Sequence, residues 1–147
     1  TVNAQYAGAI VDMLGKMEQN NQYEMSAKVR MAEGQSPTVL RISVQNGEGS
    51  YANVSQNATV NADGWVELKG TYIQSMESTL LKAYIEVANT YAEPRTFYLD
   101  DFKLSYVGPV AGPLPVQTDI GKLSEIYKND FLIGNAGGTV TLQGNNL

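Results

Sequence analysis

Tyr84 and Glu86 sit two residues apart in the run Leu81-Lys82-Ala83-Tyr84-Ile85-Glu86-Val87. In an extended chain, residues at i and i+2 project to the same side. Both side chains therefore leave the face opposite Leu81, Ala83, Ile85 and Val87. A tyrosine ring offers a flat apolar surface that can stack on the C–H face of a sugar ring. A carboxylate can accept two hydroxyl protons at once. Tyr51 and Asn53 repeat this aromatic–polar couple at the same spacing. Tyr6, within Asn3-Ala4-Gln5-Tyr6-Ala7-Gly8-Ala9, has the parity opposite to Ala7, Ala9, Val11 and Met13, and is a third candidate for the same surface. The plainer alternative is that outward tyrosines merely cover a strand, and for one tyrosine alone it is preferred. With two such couples both readings stand, because exposed aromatics tend to mark contact sites.

Asp100-Asp101 is the conspicuous acidic pair. Neighbours on a strand point to opposite faces, so the two cannot share one substrate as general acid and base. At a bulge one of them could ligate calcium, a hard cation that takes oxygen donors. The alternative is an edge carboxylate in solvent. The sequence has no His and no Cys. That rules out Ser-His-Asp chemistry, His- or thiolate-bound zinc and disulfides within this chain. A net charge of −5 argues against a nucleic-acid surface and against an anionic membrane surface. No stretch is long and apolar enough to span a bilayer. No Gly-rich strand–helix phosphate cradle is present, Gly137-Gly138 included. The chain opens at Thr1 with no recognisable leader and reads as a piece of a longer protein.

The elements that must hold these residues are strands. Residues 23–31 alternate almost without error, with Tyr23, Met25, Ala27, Val29 and Met31 on one side and Glu24, Ser26, Lys28 and Arg30 on the other. Further strands are expected at 39–45, with Leu40, Ile42 and Val44 inward, and at 51–54, 65–72 and 80–87. Turn signals at 33–37, 46–50 and 61–64 separate them. In 97–106 the inward parity slips, from Phe97 and Leu99 to Phe102, Leu104 and Tyr106; one extra residue at Asp100 or Asp101, a β-bulge, reconciles the two sets. The lone Trp65, next to a turn, reads as a buried structural residue. Such spacing predicts an all-β, antiparallel sandwich. Gly108 to Pro115 reads as a Pro/Gly linker that ends the sheet. Beyond it, 119–127 could form a short amphipathic helix, 131–136 a buried strand start, and 139–142 a further strand.

The ordered set Asn3–Met13, Tyr23–Val29, Ser50-Tyr51-Ala52-Asn53-Val54, Asp63-Gly64-Trp65-Val66-Glu67-Leu68-Lys69-Gly70-Thr71-Tyr72, Ala83-Tyr84-Ile85-Glu86 and Phe97–Leu104 resembles carbohydrate-binding module family 22. The resemblance covers about residues 3–106. A related family of glucan- and xylan-binding modules shares the Asp-Asp-Phe ending. Lys122–Ala136 resembles the start of glycoside hydrolase family 10 xylanases. The resemblances imply three segments. Residues 1–107 would be a jelly-roll sandwich module, 108–118 a linker, and 119–147 the beginning of a catalytic barrel, short of its two catalytic glutamates.

The implied function is non-catalytic binding of xylan or xylooligosaccharides, with mixed-linkage glucan as a second ligand, on behalf of an attached, secreted xylanase. A structural or stabilising accessory with little sugar affinity is the alternative. The family pattern implies ligand contacts from Tyr51, Tyr84 and Glu86, and places Tyr6 where the family usually has Trp. It implies one structural calcium ion with Asp101 among its ligands. It also implies strands before residue 1 that supply a cleft arginine and more calcium ligands. Without them, a strand edge would lie open unless the tail, for example 139–142, or a second molecule covers it.

Overall fold

The structure is a computed structural model that describes residues 1–110. The linker from residue 111 onward, the helix expected at 119–127, the strands expected at 131–136 and 139–142 and the barrel start at 119–147 lie outside the described residues.

Eight strands run in chain order: β1 (Gly8–Asp12), β2 (Asn21–Met31), β3 (Thr38–Asn46), β4 (Tyr51–Asn53), β5 (Ala58–Val60), β6 (Val66–Gln74), β7 (Leu81–Val87) and β8 (Phe97–Pro109). Every ladder among the described residues is antiparallel. The larger sheet has the order β1-β7-β3, and β4 and β5 share the far edge of β3. The smaller sheet is β6-β2-β8. The two sheets face each other as the antiparallel sandwich that the alternation predicted, the jelly roll that the family resemblance implied.

Period two explains the core. Met25, Ala27, Val29 and Met31 of β2, Leu40, Ile42 and Val44 of β3, and Ala83, Ile85 and Val87 of β7 are all buried between the sheets. Removing each large side chain of this kind from water contributes about 1.5–3 kcal/mol. Loop residues close the sandwich at its ends, with Met13 and Met17 at one of them. The Ser55 hydroxyl accepts the Ile42 N–H at 2.8 Å where the ladder to β4 stops.

The bulge in β8 forms where the parity slip placed it. Ser26 pairs with Lys103 and Lys28 with Asp100, so Ala27 faces two residues of β8. Asp101 takes a left-handed conformation, φ 56°. Phe97, Leu99, Phe102 and Leu104 consequently all turn inward, but they stay half-buried because no strand lies beyond β8 among the described residues.

Three expectations fail. Tyr106 was placed inward but is 61% exposed. A second register shift lies between Gln22 and Tyr23, and the Tyr106 ring meets Tyr23 only edge-on, at 5.8 Å. Trp65 is 47% exposed rather than buried. It stands at the start of an edge strand on the outer face, with the Arg30 guanidinium 5.4 Å from its ring. The sheet also does not end at Gly108. Gln22 pairs with Gly108 and Asn21 with Pro109, and Val110 N–H donates to the Asn20 carbonyl at 2.8 Å. Pro109 is tolerated there because β8 is an edge strand.

Candidate ligand-binding cleft

The outer face of the larger sheet carries the candidate residues. Three cross-strand rows build it. Gly8, Glu86 and Arg41 lie in one row; Ile10, Tyr84, Ser43 and Asn53 in the next; Asp12, Lys82, Gln45 and Tyr51 in the third. Side chains at i and i+2 on neighbouring strands therefore converge on one surface. Tyr6, Arg41, Ser43, Tyr51, Asn53, Tyr84 and Glu86 line an open cleft of about 440 Å³ there. All five residues expected from sequence, Tyr6, Tyr51, Asn53, Tyr84 and Glu86, are in this set. Arg41 and Ser43 were missed. Their signal was available in outline, since they have the outward parity of β3, but nothing local says that β3 lies beside β7.

The aromatics form the walls. Tyr51 and Tyr84 have ring centres 6.4 Å apart, tilted by 58°. The Tyr84 hydroxyl donates to Gln45 Oε1 at 2.6 Å, which fixes the ring. Burial raises the Tyr84 pKa above the usual phenol value, with Tyr51 and Glu86 adding to the effect, so the hydroxyl remains a donor. Tyr6 does not lie on a strand, as its parity assumed. It occupies a turn before β1 with φ 63°. Its N–H donates to the Val87 carbonyl at 2.9 Å, and Gln5 Nε2 donates to the Ala88 carbonyl at 3.1 Å, so the turn is tied to the end of β7.

The floor is polar. Glu86 is only 5% exposed, because β7 has strands on both sides. Arg41 Nε donates to Glu86 Oε1 at 2.8 Å. The same guanidinium lies 5.4 Å from the Tyr6 ring centre, within cation–π range. The cleft thus has an arginine from β3. Ser43 Oγ is buried on the floor and has no hydrogen-bond partner among the described residues. Such an atom is costly unless a water or ligand satisfies it.

Asp101 lies on the other sheet. Its Oδ2 sits 3.1 Å from Lys28 Nζ and 3.0 Å from Lys103 Nζ. Lys103, then Lys28, holds its carboxyl below the usual aspartate range. No group of three or more acidic, His or Cys side chains that could hold a metal occurs among the described residues. A carboxylate already neutralised by two ammonium groups is a poor calcium donor, so these residues do not fit the implied ion.

Comparison with known proteins supplies the context. A family model described as a carbohydrate binding domain matches residues 1–93. The chain is 30% identical over 145 residues to exoglucanase XynX of Acetivibrio thermocellus, covering 89% of this chain and 13% of that protein. It is 28% identical over 137 residues to endo-1,4-beta-xylanase A of Thermoanaerobacterium saccharolyticum, covering 90% of this chain and 11% of that protein. In structure it resembles the CBM22-1 xylan-binding domain of Paenibacillus barcinonensis Xyn10C, with a TM-score of 0.67 and 22% identity over 75% of this chain and 70% of that one. That identity speaks for the fold alone. The matched model is a binding domain, and the chain spans a small fraction of each enzyme it matches.

Proposed function

The chain belongs to the carbohydrate-binding domain family, and from that premise we propose that it binds xylan and xylooligosaccharides and holds an attached endo-1,4-β-xylanase against plant cell-wall polysaccharide. The observation that carries this reading is the convergence of Tyr6, Tyr51 and Tyr84 on one open cleft over a polar floor. Sugar rings present apolar C–H faces ringed by hydroxyls, and the cleft presents aromatic walls with donors and acceptors between them. Glu86 keeps its second oxygen for a ligand hydroxyl, while Ser43 Oγ and Asn53 add polar contacts beside Tyr84. Each contact of this kind contributes about 1 kcal/mol, so micromolar to millimolar affinity follows.

The proposal extends to a secreted parent protein and to a xylanase barrel that begins near residue 119. Mixed-linkage glucan, also a chain of β-linked pyranoses with apolar C–H faces, is a second ligand. The test is calorimetric titration with xylotriose and longer xylooligosaccharides, paired with affinity electrophoresis in soluble xylan. Binding should be measurable in the native chain and lost in Tyr84→Ala. A Tyr84→Ala variant that binds as tightly as the native chain removes the cleft from the argument. A native chain that soluble xylan does not retard would instead make the module a structural accessory.

A further inference from the structure

The outer face of the smaller sheet carries a feature that the cleft does not use. Trp65, Arg30 and Tyr98 form one row across β6, β2 and β8. Val29 pairs with Val66, which places Arg30 beside Trp65, and Arg30 pairs with Tyr98. The guanidinium carbon lies 5.4 Å from the Trp65 ring and 5.7 Å from the Tyr98 ring. Both rings remain about half exposed, at 47% and 49%. Among the described residues β6 and β8 are the edges of this sheet, so the flank of each ring away from Arg30 looks out past these strands. Among the described residues, Arg30 has no ion-pair partner, and its buried Nε has no hydrogen-bond partner. Its neighbour on the same strand, Lys28, is paired with Asp101, and Lys69 on β6 is paired with Glu24.

We propose that Trp65, Arg30 and Tyr98 form a second saccharide site, on the sheet opposite the cleft, that takes a uronate unit of an acidic polysaccharide. Strands lie about 4.8 Å apart, so the two rings stand about 10 Å apart with the cation between them. The guanidinium fills that gap, so a single pyranose unit lies over the row, across one ring and the cation. Its C–H face rests on an aromatic ring, and its carboxylate meets the guanidinium in a charge-assisted, bidentate pair. A neutral sugar would satisfy the rings but leave the cation without a counter-charge. A protein partner is disfavoured by size, since a stable interface buries about 800 Å² on each side. Apart from Ile73, the rest of this face is mainly polar, with the ion pairs Lys69–Glu24 and Lys28–Asp101–Lys103, rather than a broad apolar patch. Two sites on opposite faces cannot grip one short oligosaccharide together. They can engage two polysaccharide chains, which strengthens retention on an acidic matrix by avidity.

The experiment is an NMR titration of the full chain, following the Trp65 indole N–H and the Arg30 Nε–H. The probes are sodium glucuronate, xylohexaose and sodium acetate. Glucuronate should shift both signals, and added salt should weaken the effect. Xylohexaose should shift cleft signals and leave Trp65 and Arg30 in place. Tyr84→Ala should abolish the xylohexaose response and retain the glucuronate response, which separates failure of this site from failure of the cleft. Arg30→Gln should weaken glucuronate binding about tenfold or more, the effect of losing one charge-assisted contact. Three results overturn the proposal: signals that glucuronate does not move, acetate moving them as strongly as glucuronate, or xylohexaose doing so. The titration of the native chain decides the matter even if Arg30→Gln fails to fold.

Discussion

The ion pair on the cleft floor makes the most demanding prediction. Arg41→Met removes the cation that faces Glu86 at 2.8 Å. The two side chains are 16% and 7% exposed, so the pair sits mostly out of water. An exposed pair contributes about 0–1 kcal/mol, whereas removing one member of a buried pair costs about 3–5 kcal/mol. The partial exposure of Arg41 puts the expected cost at the lower end, about 3 kcal/mol. Loss of the cation–π contact with Tyr6 adds about 0.5–1 kcal/mol. For a domain of this size the melting temperature should fall by roughly 12 °C. Most of that cost is the stranded carboxylate. The double variant Arg41→Met/Glu86→Met should therefore recover to within about 1 kcal/mol of the native chain, because a buried ion pair can be replaced by apolar side chains at little cost. Urea denaturation of the native chain, both single variants and the double variant gives the coupling energy, expected to be at least about 2 kcal/mol. Sugar binding should be lost in the double variant despite its stability. If Arg41→Met costs less than about 1 kcal/mol, or if the two single costs simply add, the floor of the cleft is not dry and the reasoning fails.

Other predictions bear on the supports of the two sheets. Gly8 faces Glu86 across the β1–β7 ladder, and a Cβ there would collide with the Ile85 carbonyl oxygen. Gly8→Ala should push β1 outward, carry Tyr6 with it and weaken sugar binding, read by calorimetry beside a thermal melt. Asp101 has its pKa lowered by Lys103 and Lys28. Its contribution is therefore present above the ordinary aspartate range and lost as pH falls through the depressed value. Asp101→Asn, which tolerates the left-handed backbone, should be less stable than the native chain at neutral pH and equal to it in strong acid. Because both carboxylate neighbours are ammonium groups, calcium or a chelator should leave the melting temperature of residues 1–110 unchanged. Ser55→Ala should cost about 1–3 kcal/mol in urea unfolding, since it orphans the buried Ile42 N–H.

Much of this molecule is legible one strand at a time. Side-chain alternation is a local consequence of the extended backbone, so Met25, Ala27, Val29 and Met31 are inward in any sheet that keeps them extended. The same parity put Tyr84 beside Glu86 and Tyr51 beside Asn53. The bulge at Asp100-Asp101 followed from a slip in that parity, because only an extra residue keeps Phe97 and Phe102 on one side. Local patterning fails where the chain leaves the strand. Tyr6 reaches the cleft through a left-handed turn, and Tyr106 swings outward past a second register shift.

What only the tertiary structure decided is lateral order. Strand pairing across some 40 residues of chain places β3 beside β7, and periodicity within either strand carries no information about its neighbour. That placement brings Arg41 to Glu86 and Ser43 to Tyr84. It also turns Glu86 from an outward carboxylate into a nearly buried one, because a central strand has both flanks covered. Edge position acts in the opposite sense for Trp65. Its aromatic character argues for burial, but it stands on the outer face beside an edge strand, with no strand beyond it among the described residues. The sequence alone determined which side of each strand a residue occupies; the assembled sheets determined what that side meets.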